Sequence, residues 1–391
     1  MKRYSIIGCL LMCCFNINNI CAKSNDTLLT LQLLERIQTL QMSSDGVFPK
    51  GTFPTYRTYA LNKDRQKADN NAFYTGLIVF TLENIKSKLT NYQQQIVENI
   101  SSKARPTFTK FKNQNGRNTY NFWPTDTPVI FPNSGWMNLF NKRQALPDDL
   151  DDTVMILMAL NEKKSTADSI HQLMQLFANN TSKKINSTLS SLSEIPAYSV
   201  WFGKKMPIDF DISVLANVLY FVSRYQLPYT HADSASVELI EKILKENIHL
   251  SEATVVSPHY GTPEIILYHL SRLMASTTIP ALENFKPDLI QQAISLQQND
   301  QPLLNHILLS SSLINWGVKP DTRIVPSVKS LQETIENENF SFFIANMASM
   351  LPLQLKKILT ASTFGKFQYY CPAYNNVLFL ENIVLYNSIN Q

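Results

Sequence analysis

Cysteine, glycine and long apolar runs are all scarce in this chain, and each scarcity excludes something. Of five cysteines, Cys9, Cys13, Cys14 and Cys21 fall close together at the start. Cys371 stands alone after them, so the rest of the chain has no internal disulfide and no cysteine-based metal site. Cys371 itself reads as a small half-buried hydrophobe beside Tyr370. Ten glycines in 391 residues is far below the roughly 7% of average usage, which points to helix and away from turn-rich β-structure. No run approaches the eighteen or so apolar residues of a membrane-spanning helix. Charge of one sign is lacking too: 35 Lys and Arg stand against 31 Asp and Glu. That balance argues against unspecific binding to nucleic acid or to a membrane surface. Gly-rich phosphate loops, His-Glu-x-x-His and the nucleophile elbow are absent, so no cofactor and no metal is expected.

What is present begins with a leader. Lys2 and Arg3 form a positive start, Ile6 to Phe15 an apolar stretch of ten residues, and Ile20-Cys21-Ala22 a small-residue cleavage site. Residues 1–22 therefore read as a secretory signal, with residues 23–391 as a single exported domain, periplasmic or secreted. The sequence names no partner protein.

Beyond the leader one helix type recurs. Asp69-Asn70-Asn71 opens an apolar run from Ala72 to Leu82, and Asp149 to Thr153 opens Val154 to Leu160. Asp209-Phe210-Asp211 opens Ile212 to Val222, and Thr262-Pro263-Glu264 opens Ile265 to Met274. Gln301-Pro302 leads into Leu303 to Trp316, and Tyr374-Asn375-Asn376 into Val377 to Tyr386. Asp, Asn or Thr at these starts supplies an N-cap. Each run is then apolar on most faces, which predicts a buried helix. Amphipathic segments alternate with them: Leu28 to Gln41, Gln93 to Ser102, Ser169 to Phe177, Ser236 to Lys245, Pro287 to Leu296 and Ser327 to Glu336. Six inner helices ringed by six outer ones make an all-α fold, an (α/α)6 toroid.

Inner helices of a toroid run parallel, so their N-terminal ends meet at one mouth. Asp69, Asp149, Asp151, Asp152, Asp209, Asp211 and Glu264 are expected there, with His259 just before the fourth inner helix. One or two acids in a first helical turn complement its dipole. Four aspartates between Asp148 and Asp152 exceed that need and repel one another, which favours function. Trp123, Trp136, Tyr198 and Trp201 lie in the loops, where they serve either as ligand platforms or as structural rings. Lys204 and Lys205 fall nearby, and His269 inside an inner helix reads as a core residue.

The segment Asp149-Leu150-Asp151-Asp152-Thr153-Val154 resembles the Asp-x-Asp-Asp-Thr-Ala motif of class II terpene cyclases. The Gln41 to Phe48 loop is similar to the Gln–Gly–Trp repeats of that superfamily, with Phe48 in the aromatic position. The resemblance implies an α–α toroid and a lyase or isomerase that protonates an alkene or epoxide to start a carbocation cascade. It further implies Asp151 as proton donor, Asp149 and Asp152 as supporting carboxylates, and an aromatic cavity that steadies cations. Asp148 to Asp152 also contains the Asp-Asp-x-x-Asp order of magnesium-binding class I synthases. Its second-motif candidates, Asn186, Ser190 and Glu194, run into Pro196, where a helix carrying them would end. That match is taken as chance.

A different chemistry fits the same mouth. Exported (α/α)6 barrels often cleave glycans, and an acid pair such as Asp151 with Asp209 or Asp211 suits a glycoside hydrolase or lyase. The ligand is then a small molecule or a glycan, held by Asp69, Trp123, Trp201, His259 and Glu264. A non-catalytic binding scaffold is the third reading. An apolar aromatic cavity favours the cyclase, whereas a polar cleft with exposed aromatics favours the glycan.

Overall fold

The computed structural model describes residues 26–59, 66–127, 129–130, 146–203, 206–321, 323–324, 332–338, 340–360, 362 and 365–389. The expected leader, Trp136, Lys204, Lys205 and the first half of Ser327 to Glu336 lie outside these. The described chain is mostly helical. Its helices of eight residues or more are α1 (26–40), α2 (Phe73–Ile85), α3 (Asn91–Ala104), α4 (Leu150–Ala159), α5 (Lys164–Gln175) and α6 (Ile212–Arg224). They continue with α7 (His231–Lys245), α8 (Pro263–Ser276), α9 (Lys286–Gln297), α10 (Leu303–Asn315), α11 (Leu353–Thr360) and α12 (Pro372–Ile389).

The even-numbered helices coincide with the six apolar runs of the sequence, and they pack in a closed cycle. α2 packs on α4, α4 on α6, α6 on α8, α8 on α10, α10 on α12, and α12 back on α2. Burial follows: all ten residues of α4 are buried, as is α8 from Glu264 to Met274 and α12 from Ala373 to Val384. The odd-numbered helices bury one stripe each, such as Ala167, Ile170, His171 and Met174 of α5. Gln41, at the end of α1, donates from Nε2 to the carbonyls of Gly51 and Ile100, both at 2.9 Å, and so ties α1 to α3. Phe48 of the same loop is buried and meets the Tyr56 ring edge-on at 5.8 Å.

Caps hold where the sequence has an acid or threonine in the right place. Asp149 Oδ1 accepts from Asp152 N at 3.0 Å, and Asp211 Oδ1 from Ser213 N at 2.9 Å. Thr262 caps α8 through Ile265 N at 3.4 Å. Elsewhere the expectation needs correction. α2 is preceded by Ala72, which makes no side-chain cap, and Asp69 is engaged elsewhere. The first amides of α10 are taken by the distant Glu338, with Leu304 N at 2.9 Å. α12 starts at Pro372, ahead of the expected Tyr374-Asn375-Asn376 opening.

An all-helical reading is not met throughout, because four short strands form an antiparallel sheet. They are β1 (Tyr56–Tyr59), β2 (Lys67–Ala68), β3 (Phe343–Asn346) and β4 (Lys366–Tyr370), in the order β2-β1-β4-β3. Tyr56 faces Tyr370 and Phe343 faces Tyr369 in the ladders. The sheet joins the start of the chain to its end. β4 leads directly into α12, and Tyr74 OH in the first turn of α2 donates to Tyr369 O at 3.0 Å. β3 reaches the loop before α8, where Ile344 N donates to His259 O at 2.9 Å. Only residues 332–336 of the last expected amphipathic helix are described, as a π-helical turn packed on α12. Glu336 in that turn receives Arg36 of α1 through two parallel bonds of 2.7 and 2.8 Å.

Candidate acid–base site

The start of α4 is knitted to its surroundings before any chemistry is considered. Asp149 forms bridges with Tyr120 on one side and Trp201 on the other. Thr153 Oγ1 donates to Asp149 O at 2.6 Å and accepts from Tyr120 N at 2.9 Å. Extended backbone at Asp149 followed by helix brings Asp149, Asp151 and Asp152 to one cavity. Asp148 is held apart by Asn113 and Thr119, which both donate to its Oδ2.

The three carboxyls differ in their partners. Asp151 receives two donors, Asn217 Nδ2 of α6 on Oδ1 at 2.8 Å and the Tyr260 hydroxyl on Oδ2. Asp149 receives the capping amide. Asp152 Oδ1 is buried with no protein partner. Burial disfavours charge on all of them, and neighbouring carboxylates add to it. Burial and then the Asp151 charge push Asp149 up to about 7. Burial raises Asp151 to about 6, with the Tyr260 and Asn217 bonds holding it down. Burial, Asp149 and Asp151 carry Asp152 well above the carboxylate range. Burial and mutual repulsion thus favour the protonated forms within the trio.

A second buried group adjoins the first. His259 Nε2 lies 3.4 Å from Asp209 Oδ2, and Lys356 Nζ of α11 lies 3.9 Å from Asp209 Oδ1. Burial opposes ionisation of Asp209, but pairing with His259 and Lys356 keeps its carboxyl below the usual range. Burial likewise opposes charge on His259, yet Asp209 and Asp211 outweigh it and raise the imidazole. Nδ1 of the same ring is 3.1 Å from Ile344 O, which anchors its other edge. Asp211 is fully engaged: besides capping α6 it accepts Ser257 Oγ at 2.6 Å and His259 N at 2.9 Å.

Aromatic rings wall the cavity that the trio faces. Phe73, Phe122, Trp201 and Phe343 line it together with Val200, Val214 and His259, around about 280 Å³ of empty space. His259 stacks on Phe343 at 5.9 Å and meets Trp201 edge-on at 6.1 Å. An adjoining chamber of about 290 Å³ shares Phe122, Asp149, Trp201, His259 and Phe343 and adds Trp123 and Tyr369. Trp201 Nε1 is a second buried polar atom at these walls with no protein partner.

Of the residues singled out from the sequence, Asp149, Asp151, Asp152, Trp123, Trp201 and His259 line these chambers. Asp209 stands behind His259, and Asp211 is a cap. Asp69 is buried against Trp123 Nε1 at 2.9 Å and Arg57 Nε at 3.3 Å, so it braces a wall from behind. Glu264 lies in the first turn of α8 and lines neither chamber. Tyr198 donates to Asp233 at 3.0 Å and serves the loop before α7. His269 bonds its own helix through Ile265 O at 2.8 Å, and burial carries its imidazole well below the usual value. Sequence reading missed Asn217, Tyr260, Arg272, Phe343 and Lys356. Tyr260 was within its view, next to His259; the others carry no local signal. Among the described residues no group of three or more His, Cys, Asp or Glu is arranged to hold a metal, and no helix is long and apolar enough to cross a membrane. No protein-family model matches the chain, and no curated protein matches it.

Proposed function

We propose that the chain is an exported (α/α)6 toroid enzyme that protonates an apolar, unsaturated substrate, in the manner of class II terpene cyclases. The closed cycle of α2, α4, α6, α8, α10 and α12 supports the toroid. One observation carries the chemistry: the unpartnered Asp152 Oδ1 sits in a carboxyl trio on an aromatic-walled cavity. A carboxyl kept protonated by burial beside other carboxylates is a general acid poised for neutral pH. Faces of Phe73, Phe122, Trp201 and Phe343 then stabilise a developing cation. Hydrogen bonding favours Asp152 as donor over the Asp151 that the motif resemblance implies, since Asp151 already accepts two donors. An isoprenoid would enter where the two adjoining chambers share Phe122, Trp201 and Phe343, and these side chains would have to move to admit it. Glycan cleavage has less support, because Trp123 and Trp201 are buried in the walls instead of standing exposed as sugar platforms.

Purified residues 23–391, with Asp151→Asn and Asp152→Asn variants, are to be incubated with farnesyl diphosphate, geranylgeranyl diphosphate and squalene. Products are read by gas chromatography–mass spectrometry after phosphatase treatment. A cyclic product from the wild type, abolished in Asp152→Asn, is the expected result. No turnover of any isoprenoid, with release of sugars from a polysaccharide panel, would overturn the reading in favour of the glycan.

A further inference from the structure

At the middle of the ring lies a buried cation that makes no ion pair among the described residues. Arg272 of α8 is 6% exposed. Its guanidinium sits over the Phe80 ring at 5.1 Å and over the Tyr268 ring at 5.2 Å. Tyr268 is fixed in turn, donating its hydroxyl to Glu381 at 2.6 Å. From this clamp Arg272 Nη2 donates to Asn217 Oδ1, and Asn217 Nδ2 donates onward to Asp151 Oδ1.

The direction of this chain is forced. A guanidinium has donors only, and it stays charged where a buried lysine would lose its proton. It therefore donates to the carbonyl end of the Asn217 amide, which leaves the NH2 end facing Asp151. A proton on Asp151 Oδ1 would then point at another donor with nothing to accept it. On the other oxygen stands Tyr260, buried and holding its own proton. The groups that face Asp151 are Asp149 and Asp152 on its own helix, Asn217 and Asp211 of α6, Tyr260, and Arg272 of α8. Of these, Asn217 and Tyr260 bond it directly, each as a donor.

We infer that Arg272 is a positioning residue: by locking the Asn217 amide it keeps Asp151 the anion of the trio, so that the shared proton rests on Asp152. This rests on the proposed reading of the trio as the acid of the site. The readout is where the proton sits, so it stands or falls separately from turnover. The chain acts across three elements of the ring, and each link is a single hydrogen bond. Arginine and asparagine thereby decide which of three adjacent carboxyls is an acid.

Two measurements on the full chain test it. With aspartate labelled with carbon-13 at the carboxyl, Asp151 is assigned by loss of its signal in Asp151→Asn, and its titration is followed by NMR. Wild-type Asp151 is expected to titrate lowest of the three. Asn217→Leu should raise its midpoint by about one pH unit or more, Arg272→Met should raise it in the same sense, and the double variant should add little. An Arg272→Met variant that leaves the Asp151 midpoint unmoved, while Asn217→Leu shifts it, would overturn the inference. The second measurement needs only isosteric changes at the carboxyls, so it does not depend on Arg272 variants folding. The infrared band of protonated carboxyl at neutral pH should weaken more in Asp152→Asn than in Asp151→Asn. The reverse pattern would also overturn it.

Discussion

Asp209 and His259 face each other in burial, Oδ2 to Nε2 at 3.4 Å, although fifty positions and the helices α6 and α7 separate them in sequence. The pair connects the folding of α11, which delivers Lys356 to the other oxygen, with the ring that walls the cavity. Neither partner of such a pair is easily replaced, because removing one leaves a buried charge without compensation.

Replacing Asp209 by asparagine is expected to cost about 3 kcal/mol in urea denaturation. The imidazole of His259 should titrate at a lower pH than in the wild type, as followed by NMR. The sign of the pH dependence is fixed. His259 is raised above its unfolded value, so its contribution is full below about 6.5 and is lost as pH rises through the folded value. The penalty of Asp209→Asn should accordingly be larger at pH 6 than at pH 9.

The carboxyl trio predicts a protein that is more stable in mild acid. Asp149, raised to about 7, and Asp151, raised to about 6, hold protons that the unfolded chain releases near 4. Between those values the folded state binds more protons, so stability falls as pH rises from about 4 through 7. Asp152, higher still, extends the fall beyond neutrality. The midpoint of thermal unfolding should be higher at pH 5 than at pH 8; a flat or opposite profile would count against protonated carboxyls in the fold.

Asp152→Asn should separate stability from activity. The amide spares the folded chain the proton uptake that burial imposes on Asp152, so unfolding at pH 8 should need about 1–2 kcal/mol more. Any turnover that depends on proton donation should disappear in the same variant. Equal loss of both would mark Asp152 as a structural residue.

Gly51 offers a test remote from the cavity. Its φ is +88°, and a Cβ there would meet the backbone oxygen of Lys103 at 2.0 Å. Gly51→Ala should therefore destabilise the chain by about 2–3 kcal/mol, measured by denaturant unfolding. The same corner carries the Gln41 bonds to Gly51 and Ile100, so the loss should loosen α1 from α3.

The six buried helices were legible because each is apolar on nearly all faces, a pattern that no surface helix tolerates. The acids of α4 were legible because they stand in a first turn, where Asp149 caps and the next two aspartates exceed what a cap needs. Phe342, Phe343 and Ile344, like Phe367, Tyr369 and Tyr370, had the composition of strands. Four or five residues gave no room for an alternation to be seen, and they were passed over. The partners of the acids were illegible for another reason. Tyr260 reaches Asp151 from 109 positions away, and Arg272 lies in a helix whose other buried residues are mostly apolar. Only the closing of the ring brings them together, so the proton-donor role inferred from the motif alone falls on Asp151, whereas its hydrogen bonds favour Asp152.

The pairing of β1 with β4 has a consequence in time. Phe343, a wall of the cavity, is held by β4, and β4 is also the strand that meets β1, made near the beginning of synthesis. A growing chain therefore carries every acid of the mouth long before it can enclose them. Enclosure of the trio thus depends on a sheet drawn from both flanks of the buried helices.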